Sequence, residues 1–594
     1  MMEACKDVVA VIIDASPEHR IHTWGGSVAA PLALVQGLPL IQRLISQLVE
    51  VGIAKIFVGN ASSAVRKVLE KTTPDGVTIV VLDIGNEQSV LAAVLDELHA
   101  GPCRLLVAAA NIACSTEAIR QVLSRPTTNW IAGWRPSPET APPRKRDSEP
   151  CLCLLDQASV DGPLRFWIER QARLGRNLES LPLPARSHKE FRENEKGPAV
   201  CVRIEDAVDL EIANFLLAPA EERYARVSGT AGGYWSRPIA EHLLLCNPFF
   251  PPQSFFDQLA ARLPQVLRFY PSGHEHLARR VGEMTRRPPQ HVAVGNGVAD
   301  LIQALYAVLD PYLAIPTPTF NGFQIALPAE RVFCFLLREP LFDLDVNKFG
   351  DFARERGATA AVVINPNNPS GRLVASQDLR RLARVLESAA CRLIVDESFI
   401  DFPANGRAES IEPYLSDHPN LIVLKSLGKV YGLGGMRLGY MLSADEDLVA
   451  TVRDRLPLWN VNGIGEYALW LLPEYEAELL ESLHRIRIER ENFEASLRAI
   501  DGMQVTPSAT NYVFCRLPDE WPTGTMLKRI LAIEHNILIR ECAYQAMRDS
   551  DRYIRLTVRS SFENNHLVSA LHKVWRVVPQ SQAKTSIGGS RKAE

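Results

Sequence analysis

Short runs of aliphatic and β-branched residues alternate along this chain with longer stretches in which apolar residues recur every three or four positions. In the N-terminal part the runs lie at residues 8–13, 54–58, 77–82 and 103–109, with helical periodicity over 40–51 and a helical stretch over 89–99. The rhythm resumes at 291–294, 313–315, 331–336, 360–364, 391–395, 421–424 and 437–441. Alternation of this kind predicts parallel sheets covered by helices, an α/β class. Beyond residue 461 the pattern changes. A long charged helix over 474–498, short strands at 511–515 and 554–558 and a last helix over 564–575 predict a smaller α+β domain.

Polar stretches divide these patterns. Residues 135–150 and 181–197 carry prolines and charges and read as exposed loops, and 219–237, with Gly229, Gly232 and Gly233, reads as a linker. Residues 579–594 read as a disordered polar tail. The expected organisation is a domain over 1–218, the linker, a large domain over 238–460, a small one over 461–578, and the tail.

Composition narrows the function classes. At 594 residues the chain exceeds one ordinary core. A hydrophobic content of 46%, a charged content of 23% and a net charge of -4 describe a globular protein with no general attraction to nucleic acid or anionic membrane. No apolar run reaches the ~18 residues of a membrane span. The first residues lack the basic and apolar regions of a secretory signal. The 11 cysteines are scattered, and Cys151 and Cys153 lack a second pair at zinc spacing. Reduced thiols, a cytoplasmic location and no metal site are the expectations.

The chemistry concentrates in Leu424-Lys425-Ser426-Leu427-Gly428-Lys429, followed by a glycine-rich loop to Arg437. A lysine just past a buried strand can hold an aldehyde cofactor through its amine, and Ser426 and Arg437 can hold a phosphate. The combination points to pyridoxal 5'-phosphate. Other segments fit the same cofactor: Asp396 ending Leu393-Ile394-Val395-Asp396, the turn Asn365-Pro366-Asn367-Asn368-Pro369-Ser370-Gly371, and Gly295-Asn296-Gly297-Val298, which opens a helix after a strand.

In this order the motifs resemble those of the fold-type I, aspartate-aminotransferase-like enzymes, and most of all histidinol-phosphate aminotransferase and threonine-phosphate decarboxylase. The likeness covers about residues 243–574. It implies that Lys429 is the Schiff-base lysine, that Asp396 pairs with the pyridine nitrogen and that Asn368 donates to the ring oxygen. It further implies that Phe320 stacks on the ring and that Gly297, Val298, Ser426 and Arg437 hold the phosphate. Tyr270 would reach the phosphate of a neighbouring subunit, which implies a homodimer with shared sites. Arg555 would clamp the substrate α-carboxylate. Asn247 lies in a sparse version of the family's substrate segment. Arg540 and Arg559 are spare cations, read equally as anion ligands or as surface ion pairs, and Lys425 stands near Ser426.

Two departures bear on the reaction. Phe399 stands where the aminotransferases place tyrosine, which favours the decarboxylase branch, and Gly428 replaces a small hydroxyl residue. Transamination of an amino acid or amine, one bearing a phosphate or phosphonate, is the expected activity, with decarboxylation of a phospho-amino acid as the alternative.

The first block, through Val11-Ile12-Ile13-Asp14-Ala15, Pro31-Leu32 and Val202-Arg203-Ile204-Glu205-Asp206, resembles sugar-phosphate nucleotidyltransferases. Its chemistry is depleted. Ser16-Pro17-Glu18-His19-Arg20 replaces a glycine-rich loop, Ala30 a lysine, and Asn111 a magnesium-binding aspartate. Glu205 and Asp206 read as anionic ligands or as a helix cap. The resemblance implies a non-catalytic domain for docking, dimer support or ligand sensing. A working domain, giving a bifunctional nucleotidyltransferase-aminotransferase, is the further alternative.

Overall fold

The computed structural model describes residues 8–13, 20–23, 26–59, 61–72, 74, 77–82, 104–109, 112–114, 116–123, 130–132, 152–155, 201–203, 207–229 and 232–586. The chain divides into two compact units, Met1–Pro238 and Ile239–Glu594.

In the first unit, the strands Val8–Ile13, Lys55–Gly59, Thr78–Leu82 and Arg104–Ala109 pair in parallel. Leu152–Leu155 and Trp130–Ala132 extend the sheet antiparallel at one edge, completing six strands. The helix Leu40–Glu50 buries Leu40, Ile41, Leu44, Ile45 and Leu48, one stripe of its surface. The helix expected over 89–99 lies outside the described residues. The expected linker is not irregular chain. A helix, Ala220–Ser228, and a 3₁₀ turn, Tyr234–Ser236, occupy it. Its polar residues lie on a helix with Glu221 and Glu222 in the first turn and Arg226 in the last, a charge order that complements the helix dipole.

The second unit is built on a seven-stranded sheet. Its order is Val292–Gly295, Gly439–Ser443, Leu421–Ser426, Arg392–Asp396, Ala360–Ile364, Leu313–Thr317, Val332–Leu336. Only Gly439–Ser443 runs antiparallel to its neighbours. Leu393, Ile394 and Val395 are all fully buried, as a strand covered on both faces requires. The strand ends that matter fall together. Asp396 is level with Leu424 and Ile364, and Gly439 is paired with both Ser426 and Gly295.

A second sheet of five strands carries Tyr512–Arg516, Tyr553–Thr557, Ile537–Glu541 and Gln504–Thr506. Its remaining strand is Ala240–His242, which pairs in parallel with Ile537–Glu541. The start of the expected large domain therefore belongs to the sheet of the small one. The last helix continues to Ser586, so residues 579–586 are helical where a tail was expected. Among the described residues no helix is long and apolar enough to cross a membrane.

Candidate active site

Asp396 ends its strand as a buried carboxylate. The Ser398 N–H donates to its Oδ1 at 2.9 Å, and the Ser426 N–H donates to Ser398 Oγ at 2.9 Å. Burial raises the Asp396 pKa against these donors and the charge of Lys429. A carboxylate so placed gains most from a partner that brings a proton, as a ring nitrogen does.

Lys429 lies in the one-turn helix Leu427–Val430 that follows the strand Leu421–Ser426. Its amine is pushed below the ordinary lysine value, first by burial and then by Arg555 and Arg437, while Cys246 and Asp396 act the other way. An amine held toward its free base is a nucleophile and a proton acceptor. Gly428 leaves the turn room to fold tightly, since a Cβ there would stand 3.0 Å from Gly434 Cα.

Asn247, expected to meet substrate, is committed to the protein. Its side chain donates to Val430 O at 3.0 Å and Ser482 Oγ at 2.9 Å and accepts from Phe249 N–H at 2.9 Å. Its own N–H donates to Lys429 O at 2.9 Å, so it braces the lysine turn. The sequence singled out the right segment but not this role, because the partners lie about 180 and 235 residues away.

The ladder row of Gly295, Gly439 and Ser426 links the Gly295–Val298 loop to the start of the lysine turn, and this is the candidate anion cup. Gly297 has φ +81°, a left-handed backbone that glycine adopts freely. A Cβ on it would lie 2.8 Å from Arg437 Nη2, so the bare backbone lets the guanidinium close on the loop. Helix Val298–Leu309 starts here and turns its positive end to the cup. Arg437 itself takes a left-handed conformation outside the expected strand, which begins only at Gly439. Phe320 is exposed and meets Phe323 edge-on. Tyr270 is 80% exposed and stacks on Trp459.

Arg555 enters from the second sheet. It is buried, donating from Nη1 to Asn368 Oδ1 at 2.8 Å and from Nη2 to Leu243 O at 2.6 Å, while its Nε is buried without a partner. Arg540 is its neighbour in the antiparallel ladder and donates to Tyr544 Oη at 3.0 Å. Neither guanidinium has a carboxylate within ion-pair distance among the described residues, and Arg540 lowers the Arg555 pKa further after burial. Arg559, by contrast, is spent on Glu241 at 3.2 Å and Glu563 at 3.5 Å, and Lys425 on Asp401 at 2.9 Å. Phe399 is buried, edge-on to Tyr512 at 5.3 Å.

Sequence reasoning missed the groups that knit the two sheets together at this point. Tyr512 Oη donates to Asn367 O at 2.8 Å, Thr319 Oγ1 to Asn367 Oδ1 at 3.0 Å, and Thr319 N–H to Gln545 Oε1 at 3.0 Å. Asn367 stood in a quoted motif; Gln545 had no local signal.

Among the described residues no group of three or more His, Cys, Asp or Glu could hold a metal ion. In the first unit, Asp14, residues 16–19, Asn111, Glu205 and Asp206 lie outside the described residues. Arg20 begins one strand and Ala30 a 3₁₀ turn.

The family model described as aminotransferase class I and II matches residues 262–571. An uncharacterized protein, y4rO, of Sinorhizobium fredii is 36% identical over 95% of this chain and 95% of its own length. CMP-5'-(3-aminopropyl)phosphonate synthase of Streptomyces rubellomurinus is 36% identical over 62% of this chain, and the match spans 58% of that protein. Among solved structures, a decarboxylase from Sulfurospirillum multivorans superposes with a TM-score of 0.51 at 28% identity, over 56% of this chain and 94% of that one.

Proposed function

The chain belongs to the class I and II aminotransferase family, fold-type I enzymes that work with pyridoxal 5'-phosphate, and on that premise we propose that it transfers the amino group of a small amino acid or amine carrying a phosphate or phosphonate. The observation that carries the site assignment is the meeting of three charged groups at Lys429: Asp396 from the end of its strand, Arg437 from the loop and Arg555 from the second sheet all act on its amine.

The residues present fit the cofactor. Asp396 is a buried carboxylate suited to a protonated ring nitrogen, and Gly297, lacking a Cβ, lets the Arg437 guanidinium lie against the loop that would hold the phosphate. Asn368 gives its Oδ1 to Arg555 and keeps its amide donor for the ring oxygen. Phe320 offers the stacking face. When bound, the cofactor supplies an aldehyde that captures amines and a ring that withdraws electrons from the α-carbon. Lys429 Nζ would hold it, and the same amine is placed to serve as the base and acid that moves a proton at the substrate α-carbon. Arg555 orients the substrate carboxylate, its free Nε adding a donor.

The substrate class rests on Arg540 beside Arg555. Two adjacent guanidinium groups with neutral partners only are best stabilised by more than one anionic group on the ligand. The name of the phosphonate synthase relative accords with this reading. Screening amino donors with purified protein tests it: phosphonate- or phosphate-bearing amines are expected to react fastest, and a preference for uncharged side chains would remove this substrate class.

Decarboxylation is the second reading, favoured by Phe399, which brings no hydroxyl to the ring, and by the decarboxylase structure. Release of CO2 rather than a 2-oxo product would establish it. We also propose a cytoplasmic homodimer in which Tyr270 serves the partner's site, and a first unit that binds or docks without catalysis. Pyrophosphate release on incubation with nucleoside triphosphates, Mg²⁺ and phosphorylated amines would overturn the last point.

A further inference from the structure

The 459–462 turn, between the helices Glu446–Arg455 and Gly463–Leu471, belongs to no motif read from the sequence. Trp459 is held at φ +57°, a region that costs a bulky side chain energy and persists only where its surroundings enforce it. Its ring stacks on Tyr270 with centroids 4.5 Å apart and planes 28° apart. Asn460 Nδ2 donates to Val294 O at 3.1 Å and to Asp300 Oδ2 at 3.0 Å. The same Asp300 oxygen accepts the Asn296 N–H at 3.0 Å. Asn460 thereby fastens the strand before the Gly295–Gly297 loop and, through Asp300, the loop itself. Val461 is fully buried in the core. Asn462 caps the following helix through Gly465 N–H at 2.9 Å and donates to Met436 O at 3.2 Å, next to Arg437. Glu466, one turn on, accepts the Ser272 N–H at 2.8 Å and so fixes the chain that carries Tyr270.

We infer that the 459–462 turn positions the whole anion cup: Asn460 sets the Gly295–Val298 loop, Asn462 the approach to Arg437, and Trp459 the presentation of Tyr270. None of the turn's side chains is needed as a ligand; each acts through another residue. The inference rests on the reading of the cup as the cofactor's phosphate site. If Tyr270 completes the cup of a second copy, one turn serves two sites, its own through Asn460 and Asn462 and the partner's through Trp459.

The test compares pyridoxal 5'-phosphate with pyridoxal, which keeps the aldehyde and lacks the phosphate. Each is titrated by absorbance into apo-protein. Trp459→Gly fits the left-handed backbone and removes the ring together with its Cβ, and Asn460→Ala removes the loop fastening. Each is expected to weaken pyridoxal 5'-phosphate about tenfold and to change pyridoxal by less than about twofold, with Trp459→Phe restoring most of the loss. Thermal unfolding of each apo-variant reports whether it is folded; should Asn460→Ala not fold, the Trp459 pair still decides. Equal losses for both ligands, or no loss for either, would overturn the inference while wild type still prefers the phosphorylated ligand. If wild type binds both equally, the cup assignment fails as well.

Discussion

Lys425 and Lys429 stand one helical turn apart in sequence and meet opposite surroundings. Lys425 points into an acidic nest. Asp401 pairs with it at 2.9 Å, Glu412 and Glu397 lie close by, and its pKa is raised although burial opposes this. Lys429 is lowered, first by burial and then by Arg555 and Arg437, with Cys246 and Asp396 opposing. The same residue type is thus a fixed structural cation on one side of the strand end and a free-base candidate on the other. What distinguishes them is the sign of the charges each fold element brings, which neither lysine's local sequence encodes.

The nest has its own chemistry. Glu397 is fully buried, accepting from Ser410 Oγ at 2.6 Å and Ile411 N–H at 2.7 Å, and Glu412 accepts from Tyr440 Oη at 2.7 Å. Burial, and after it the charge of Glu412, push the Glu397 pKa up to about 8. The nest ties the segment carrying Asp396, Ser398 and Phe399 to the strand that leads to Lys429.

The largest break in this comparison comes from the two lysines themselves. Lys429→Ala is expected to lower kcat by about 10⁴, whereas Lys425→Met should leave kcat within about tenfold of wild type and lower the melting temperature; steady-state assays and calorimetry separate the two. Next is Asp401→Asn, which strips the direct partner from a buried ammonium and should cost about 3 kcal/mol in denaturant unfolding. A pH series then sharpens the contrast. The stability from protonated Glu397 is complete below its unfolded value of 4.5 and is lost as pH rises through about 8. Glu397→Gln should flatten that alkaline decline. The smallest effect is at Arg540. Its partly buried cation is expected to be worth about tenfold in KM for a phosphonate-bearing donor, and Arg540→Ala should leave an uncharged donor unchanged.

Much of the candidate site was legible because its groups sit at ends of apolar strands, where local pattern and local chemistry coincide. Asp396 after Leu393-Ile394-Val395 and Lys429 after the 421–426 strand are of this kind. Asn247 was placed on the right segment, but its bonds to Val430 and Ser482, which brace the lysine turn, had no local signal. The strand Ala240–His242 was assigned to the wrong domain because its partner begins at Ile537. The 459–462 turn escaped notice altogether: a left-handed tryptophan and two asparagines have no meaning until distant loops arrive beside them. Local periodicity specifies elements, and long-range hydrogen bonds decide which elements share a site.

Lys429, and not Lys425, is the residue expected to hold the cofactor. Borohydride reduction of the protein in the presence of pyridoxal 5'-phosphate, followed by peptide mass spectrometry, reads this directly. A phosphopyridoxyl group is expected on Lys429 alone, absent from the Lys429→Ala protein. A label on Lys425, or none on either lysine, would contradict it.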